Sequence, residues 1–433
     1  MENYFKLSQH GSNVRTEVIA GITTFLTMAY IIFVNPDILS STGMDRDAVF
    51  IATCLAAAIG SAVMGLWANW PIGMAPGMGL NAFFAFTVVG AMGFTWQQAL
   101  GAVFISGVIF LFLSVTGIRR WLIAGIPTSM RSGVAAGIGM FLAIIAMQSS
   151  GLVVDNPATL VGLGDLTAPG TLLTIAGFFI IVALDALQVK GAILIGILVI
   201  TIASILLGVS EFGGIISAPP SIAPTFMQLD VMGALSYGIF NVVLVMVLVE
   251  IFDATGTLIG VAKRAGLLAE GPTHQNPNLG RALMADSTAI TVGSILGTSS
   301  TTAYVESASG VQAGGRTGLT ALVVAALFLL ATFFAPLAGS VPPYATAPAL
   351  LFVATLMMRE LVEVNWDDVT EAAPAALTAL AMPLTYSIAT GLAFGFISYA
   401  LIKLLTGRAS QVHAATWIIA GLFVIKFAFF GGH

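Results

Sequence analysis

Four acidic residues stand inside apolar runs, where a carboxylate is costly. Glu250 and Asp253 lie in VVLVMVLVEIFDATGTLIG, Asp286 lies in the next run, and Glu306 ends the small, β-leaning stretch STTAYVE. Holding an ionised carboxylate at the centre of a bilayer costs on the order of 3 kcal/mol or more, so residues placed this way are expected to act on something. The chemistry open to them is acceptance of N–H or O–H groups and exchange of a proton. Glu250 and Asp253 are three apart and share one helix face, which continues into Thr257. Glu306 stands at the expected start of a half-helix, where exposed N–H groups and the helix dipole favour negative charge. No base is expected at comparable depth. Arg281, Lys263 and Arg264 belong to the rim, and the nearest role for Asp286 is a structural cap or ion-pair partner of Arg281. Burial disfavours the charged form of an unpaired carboxyl, so at least one of Glu250, Asp253 and Glu306 is expected to hold a proton during part of the working cycle.

The elements that carry these acids are membrane spans. The chain has 433 residues, 58% hydrophobic and only 8% charged, against about 25% charged in soluble domains. Its mean hydropathy is +1.00. Apolar runs long enough for a bilayer lie near 18–38, 48–66, 72–92, 98–116, 130–149, 170–187, 190–209, 235–261, 282–297, 300–313, 317–337 and 346–358. The tail from 372 to 430 reads either as one long broken helix or as a tight hairpin around Pro383–Gly391. About fourteen spans are expected, in an all-α polytopic membrane protein. The polar start MENYFKLSQHGSNVRTE has no cleavage signature, so the first run reads as a span and not a signal peptide. The single cysteine, Cys54, excludes a disulfide framework or a zinc cluster. The net charge of −5 says little about partners.

Basic residues are retained on the cytoplasmic side. With the N-terminus inside, Lys6, Arg15, Arg119, Arg120, Arg131, Lys190, Lys263, Arg264, Arg281, Arg316 and Arg359 all fall at cytoplasmic ends, and among the first twelve spans only Arg46 falls outside.

Two spans are interrupted. The third holds PIGMAPGMGLNAFF, 71–84, whose two prolines and three glycines within nine residues cannot run as continuous helix. A new helix is expected from about Asn81, which suits its cap. The tenth holds Thr301–Val305, which favours extended backbone, with a helix expected from Glu306–Ser307. Breaks at 71–92 and 297–313, seven spans apart, make two inverted halves. Matched interruptions of this kind mark a transporter site near the midplane, since non-helical backbone at that depth must line a cavity or be buried in protein. Acids without a base disfavour an anion and suit a neutral, planar, N–H-rich solute. Asn81 offers donor and acceptor, Thr257 and Thr302 add hydroxyls, and Phe83, Phe84 or Phe252 offer flat faces. From residues alone, the chain reads as a proton-coupled transporter of a neutral polar solute.

The stretches GITTFLTMAYIIFVNP (21–36), APGMGLNAFFAF (75–86), FDATGTLIGVAKRAGL (252–267) and GTSSTTAYVESASGVQAGGRTGLTA (297–321) resemble those of bacterial purine nucleobase permeases. These form the hypoxanthine/guanine/adenine branch of the nucleobase–cation symporter-2 (nucleobase/ascorbate transporter) family, and the likeness covers essentially the whole chain. The resemblance implies fourteen spans as two inverted seven-span repeats. It implies a core of residues 1–117 (spans 1–4) and 233–338 (spans 8–11), and a gate of residues 118–232 (spans 5–7) and 339–433 (spans 12–14). It places the substrate-binding asparagine on Asn81 and the essential acids on Asp253 and Glu306. It also implies proton symport of a purine at the cytoplasmic (inner) membrane, with the proton as coupling ion and no cofactor, metal or nucleic acid, and frequent homodimers in the lipid. The rival readings are an anion or other small-solute transporter of the same fold, and a passive nucleobase channel. An enzyme reading rests on Gly162-Leu163-Gly164-Asp165, a string resembling intramembrane aspartyl proteases, but Asp165 falls in the outer loop 150–169, far in depth from Asp253.

Overall fold

A computed structural model describes residues 1–238, 242–268 and 277–429, excepting the side chains at 120, 124, 236–238, 252, 253, 255, 277 and 429. Among these residues nine helices are long and apolar enough to cross a membrane, from Val14–Ser40 to Ile388–Leu405. Four shorter apolar helices, Met78–Ala91, Ala192–Leu206, Val369–Leu384 and Ala414–Ala428, accompany them. The helix Pro277–Leu296 is more polar and lies among the others. The tail is a hairpin of Val369–Leu384 and Ile388–Leu405, followed by Ala414–Phe429. Ser387 starts its second arm by accepting the Thr390 N–H, a hydroxyl cap of the usual kind.

The helices pack in two groups. In the first, Trp96–Thr116 lies along Pro277–Leu296, and Gly318–Ala331 lies between Val14–Met28 and Arg46–Val63. In the second, Thr128–Ser149 packs on Val369–Leu384 and Pro343–Met358, and Pro169–Ala186 on Pro343–Met358 and Ala192–Leu206. Close approach in the first group depends on glycine. A Cβ on Gly318 would stand 2.0 Å from the Gly65 carbonyl oxygen, and one on Gly65 would stand 2.5 Å from that of Gly318.

Two short strands lie in the interrupted spans: β1, Met74–Pro76, and, after the hairpin strands β2 (Val153–Asn156) and β3 (Leu160–Leu163), β4, Thr301–Ala303. β1 and β4 pair antiparallel, Met74 with Ala303, Ala75 with Thr302 and Pro76 with Thr301. The ladder extends through Gly77 N–H to Ser300 O (2.9 Å) and Tyr304 N–H to Gly73 O (3.0 Å). Each break thus supplies backbone partners for the other, which is how extended chain survives inside the membrane. The residues of β1 and β4 are buried.

The helix after β1 starts at Met78, not at Asn81. Gly77 occupies the N-cap position, and the Asn81 N–H already bonds Gly77 O at 2.9 Å. Extended backbone runs only as far as Gly77, so Asn81 falls one turn inside the helix and its side chain is free for another use. After β4, the helix Ser307–Gln312 has Glu306 in the N-cap position, but the Glu306 side chain makes no capping bond.

Candidate functional site

β4 and the two residues before it form the centre of a polar cluster. Residues two apart on extended backbone face the same way, and Ser300 and Thr302 both meet buried acids. Ser300 Oγ donates to Glu250 Oε1 at 2.9 Å and Thr302 Oγ1 to Asp286 Oδ1 at 3.0 Å. Ser299 Oγ donates to Asn81 Oδ1. One short run, Ser299 to Thr302, therefore holds side chains from three separate helices. The sequence marked this run by its small hydroxyl residues in an apolar setting, but singled out only Thr302. That hydroxyl serves Asp286 and not an open cavity, because the strand's pleat turns it toward Pro277–Leu296.

Glu250 is fully buried, and its Oε1 also accepts from Ser106 Oγ at 3.1 Å. Its Oε2 has no partner among the described residues, and neither has the buried Nδ2 of Asn81. A buried polar atom without a partner is costly, so an acceptor and a donor left over at one cluster point to a third party. Glu306, half-buried, accepts from Tyr30 Oη at 2.7 Å. Tyr304 Oη donates to Pro76 O at 2.6 Å, and its ring lies 6.4 Å from that of Tyr30. Sequence reasoning missed both tyrosines, although each is a rare hydroxyl within a matched stretch.

Asp253 lies on the helix Leu244–Arg264, which packs against β4 and Ser307–Gln312. The side chains of Asp253 and Phe252 fall outside the described residues. Thr257, one turn on, is half-buried. Phe83 and Phe84 are both fully buried within the main apolar core.

The expectation for Asp286 is corrected. It is paired with Arg119, whose Nη2 stands 2.8 Å from Asp286 Oδ2, both side chains being fully buried. Arg281, by contrast, is exposed. The expectation that no base lies at depth fails with it, since the Arg119 side chain is fully buried beside these acids. Arg119 follows Gly117, whose φ of +78° reverses the chain into the short helix Ile118–Ala124 and turns the guanidinium inward. Positive φ of this kind favours glycine. Arg119 is neutralised by Asp286, so Glu250 and Glu306 remain without a basic partner among the described residues.

Asp165 of the protease-like string lies after the exposed β2–β3 hairpin, where bonds from Thr167 hold its carboxyl below the usual range. Among the described residues no group of three His, Cys, Asp or Glu side chains is arranged to hold a metal.

Residues 15–394 match the model of the xanthine/uracil permeases, described as a permease family. The chain belongs to the xanthine/uracil permease family. It is 49% identical over 433 residues to the adenine permease AdeP of Escherichia coli, covering 100% of this chain and 97% of AdeP. It is 46% identical to the guanine/hypoxanthine permease PbuG of Bacillus subtilis, covering 99% of each. Among solved structures, the transmembrane domain of the cyanobacterial bicarbonate transporter BicA aligns with a TM-score of 0.68 at 16% identity, over 87% of this chain and 97% of that domain. The anion transporter SLC26A9 aligns at 0.58 and 10% identity, over 91% of this chain and 66% of that one. These likenesses show the inverted-repeat transporter fold. This family member is a multi-pass membrane permease and not an enzyme.

Proposed function

We propose that this permease carries purine nucleobases into the cell together with a proton, by alternating access. The observation that carries the reading is the meeting of both broken spans at β1 and β4, beside an acceptor of Glu250 and a donor of Asn81 that lack partners among the described residues. The whole-chain likeness to adenine and guanine/hypoxanthine permeases supports a purine as the solute. Such a base is flat and uncharged and carries both donors and acceptors, which suits an amide and carboxylates.

In this reading Asn81 orients the base, Asp253 and Glu306 accept its N–H groups or carry the proton, and Glu250 is a further proton holder. Thr257 and Phe83 complete the surroundings. A carboxylate that takes up a proton loses the charge that makes passage through an apolar gate expensive. Residues 1–117 and 233–338 act as the core, with 118–232 and 339–433 as the gate. The reading is supported by the packing of the helices in two groups. The N-terminus lies in the cytoplasm, in keeping with the eleven basic residues that then fall inside.

The test is uptake of labelled hypoxanthine into cells that lack purine permeases of their own and express this chain. Uptake is expected, suppressed by excess adenine or guanine and not by bicarbonate. Absence of uptake for all three purines, or bicarbonate uptake in its place, contradicts the reading.

A further inference from the structure

Arg119 has no part in the function above, yet it is among the most completely enclosed side chains of the protein. Its Nη2 bonds Asp286 Oδ2 at 2.8 Å, while Nη1 donates to Leu283 O at 3.0 Å, Ser114 Oγ at 3.3 Å and Ser287 Oγ at 3.4 Å. The guanidinium also lies 3.6 Å from the centre of the Phe110 ring. A planar, forked donor in such a setting fixes its partner in direction as well as position. With Oδ2 of Asp286 held, Oδ1 faces Thr302 of β4, which donates to it at 3.0 Å. The two residues before β4 are Ser299 and Ser300, through which Asn81 and Glu250 are held.

Stability alone does not call for this arrangement. A buried ion pair replaced by apolar side chains of similar size is often neutral or stabilising. The geometry has a direction instead: it runs from Arg119 through Asp286 to one residue of the strand on which both broken spans meet.

We propose that Arg119 is a positioning residue for transport, which through Asp286 fixes Thr302 and so sets how Ser299 and Ser300 present Asn81 and Glu250 to the solute. The proposal rests on the proposed function for the choice of solute and for the roles of Asn81 and Glu250.

The test uses the full chain in proteoliposomes, with labelled adenine, guanine and hypoxanthine each as probe. Arg119→Met is expected to raise KM about tenfold, the size of one lost hydrogen bond to a charged group, with maximal rate per folded protein nearly unchanged. Arg119→Lys is expected to recover part of the loss. Thr302→Val is expected to resemble Arg119→Met, and the double variant to be no worse than either, since effects along one chain of contacts do not add. An unchanged KM in Arg119→Met, or effects that multiply in the double variant, would overturn the proposal.

Should Arg119→Met fail to fold, Arg119→Met with Asp286→Leu removes both charges; it is expected to fold and still show the raised KM, and a normal KM would overturn the proposal. Hydrogen–deuterium exchange over residues 298–304 supplies a readout without solute. Faster exchange in a folded Arg119 variant supports the proposal, and exchange equal to the parent overturns it. A parent protein that takes up none of the three bases would sink the purine reading, while the exchange result would still decide on Arg119.

Discussion

The acids of this permease differ in what holds them, and that difference determines what each substitution should do. Asp286 has a guanidinium and a hydroxyl, whereas Glu250 has two serine hydroxyls on one oxygen and Glu306 has the Tyr30 hydroxyl. In Tyr30→Phe the Glu306 carboxyl loses one donor, worth about 1 kcal/mol. Uptake is expected to persist with a KM raised about fivefold, which uptake kinetics in vesicles would measure. Ser299→Ala releases the Asn81 carbonyl and should likewise raise KM about threefold to tenfold, leaving the amount of protein in the membrane unchanged. The buried arginine escaped the sequence reading for a physical reason. Basic residues flanking apolar runs are assigned to the rim by the same rule that sets orientation, and that rule does not reveal which one turns inward. The chain doubles back at Gly117, which is left-handed at the end of its helix, a conformation seen only in the structure.

At the level of elements, the breaks were legible because proline and glycine in an apolar setting leave the backbone no helical alternative. That they pair with each other was not legible. β1 and β4 are three residues each and far apart in the chain, and no local pattern specifies such a register. The restart of the helix at Met78 was misjudged because asparagine is a good cap in isolation, whereas here Gly77 already fills that place. The tail resolved as a hairpin because Thr385–Ser387 turn the chain and Ser387 caps the returning helix. The close packing of Gly65 and Gly318 gives an element-scale prediction. Gly318→Ala forces a methyl against the facing backbone, and overpacking of this kind costs about 1–3 kcal/mol. A lower melting temperature in detergent is expected, and an unchanged one would show that the two helices part without cost.

For the molecule as a whole, membership in the xanthine/uracil permease family and the likeness to BicA and SLC26A9 describe one architecture serving solutes of different charge. Under the proposed function, what would separate this chain from a carrier of anions is the set of acids around β4, one of which is paired with Arg119 and two of which have no basic partner among the described residues. The link between the two helix groups is also visible at Asp37, which accepts from Thr346 at 2.9 Å and faces Arg46. A carrier whose acids release their proton on one side only should accumulate its solute against a gradient. The decisive measurement is uptake of labelled adenine and hypoxanthine into proteoliposomes with an acidic exterior, for the parent protein and for Glu306→Gln. The account predicts accumulation above equilibrium in the parent, collapse of that accumulation with a protonophore, and none in Glu306→Gln. Accumulation that ignores the protonophore, or that survives in Glu306→Gln, would contradict it.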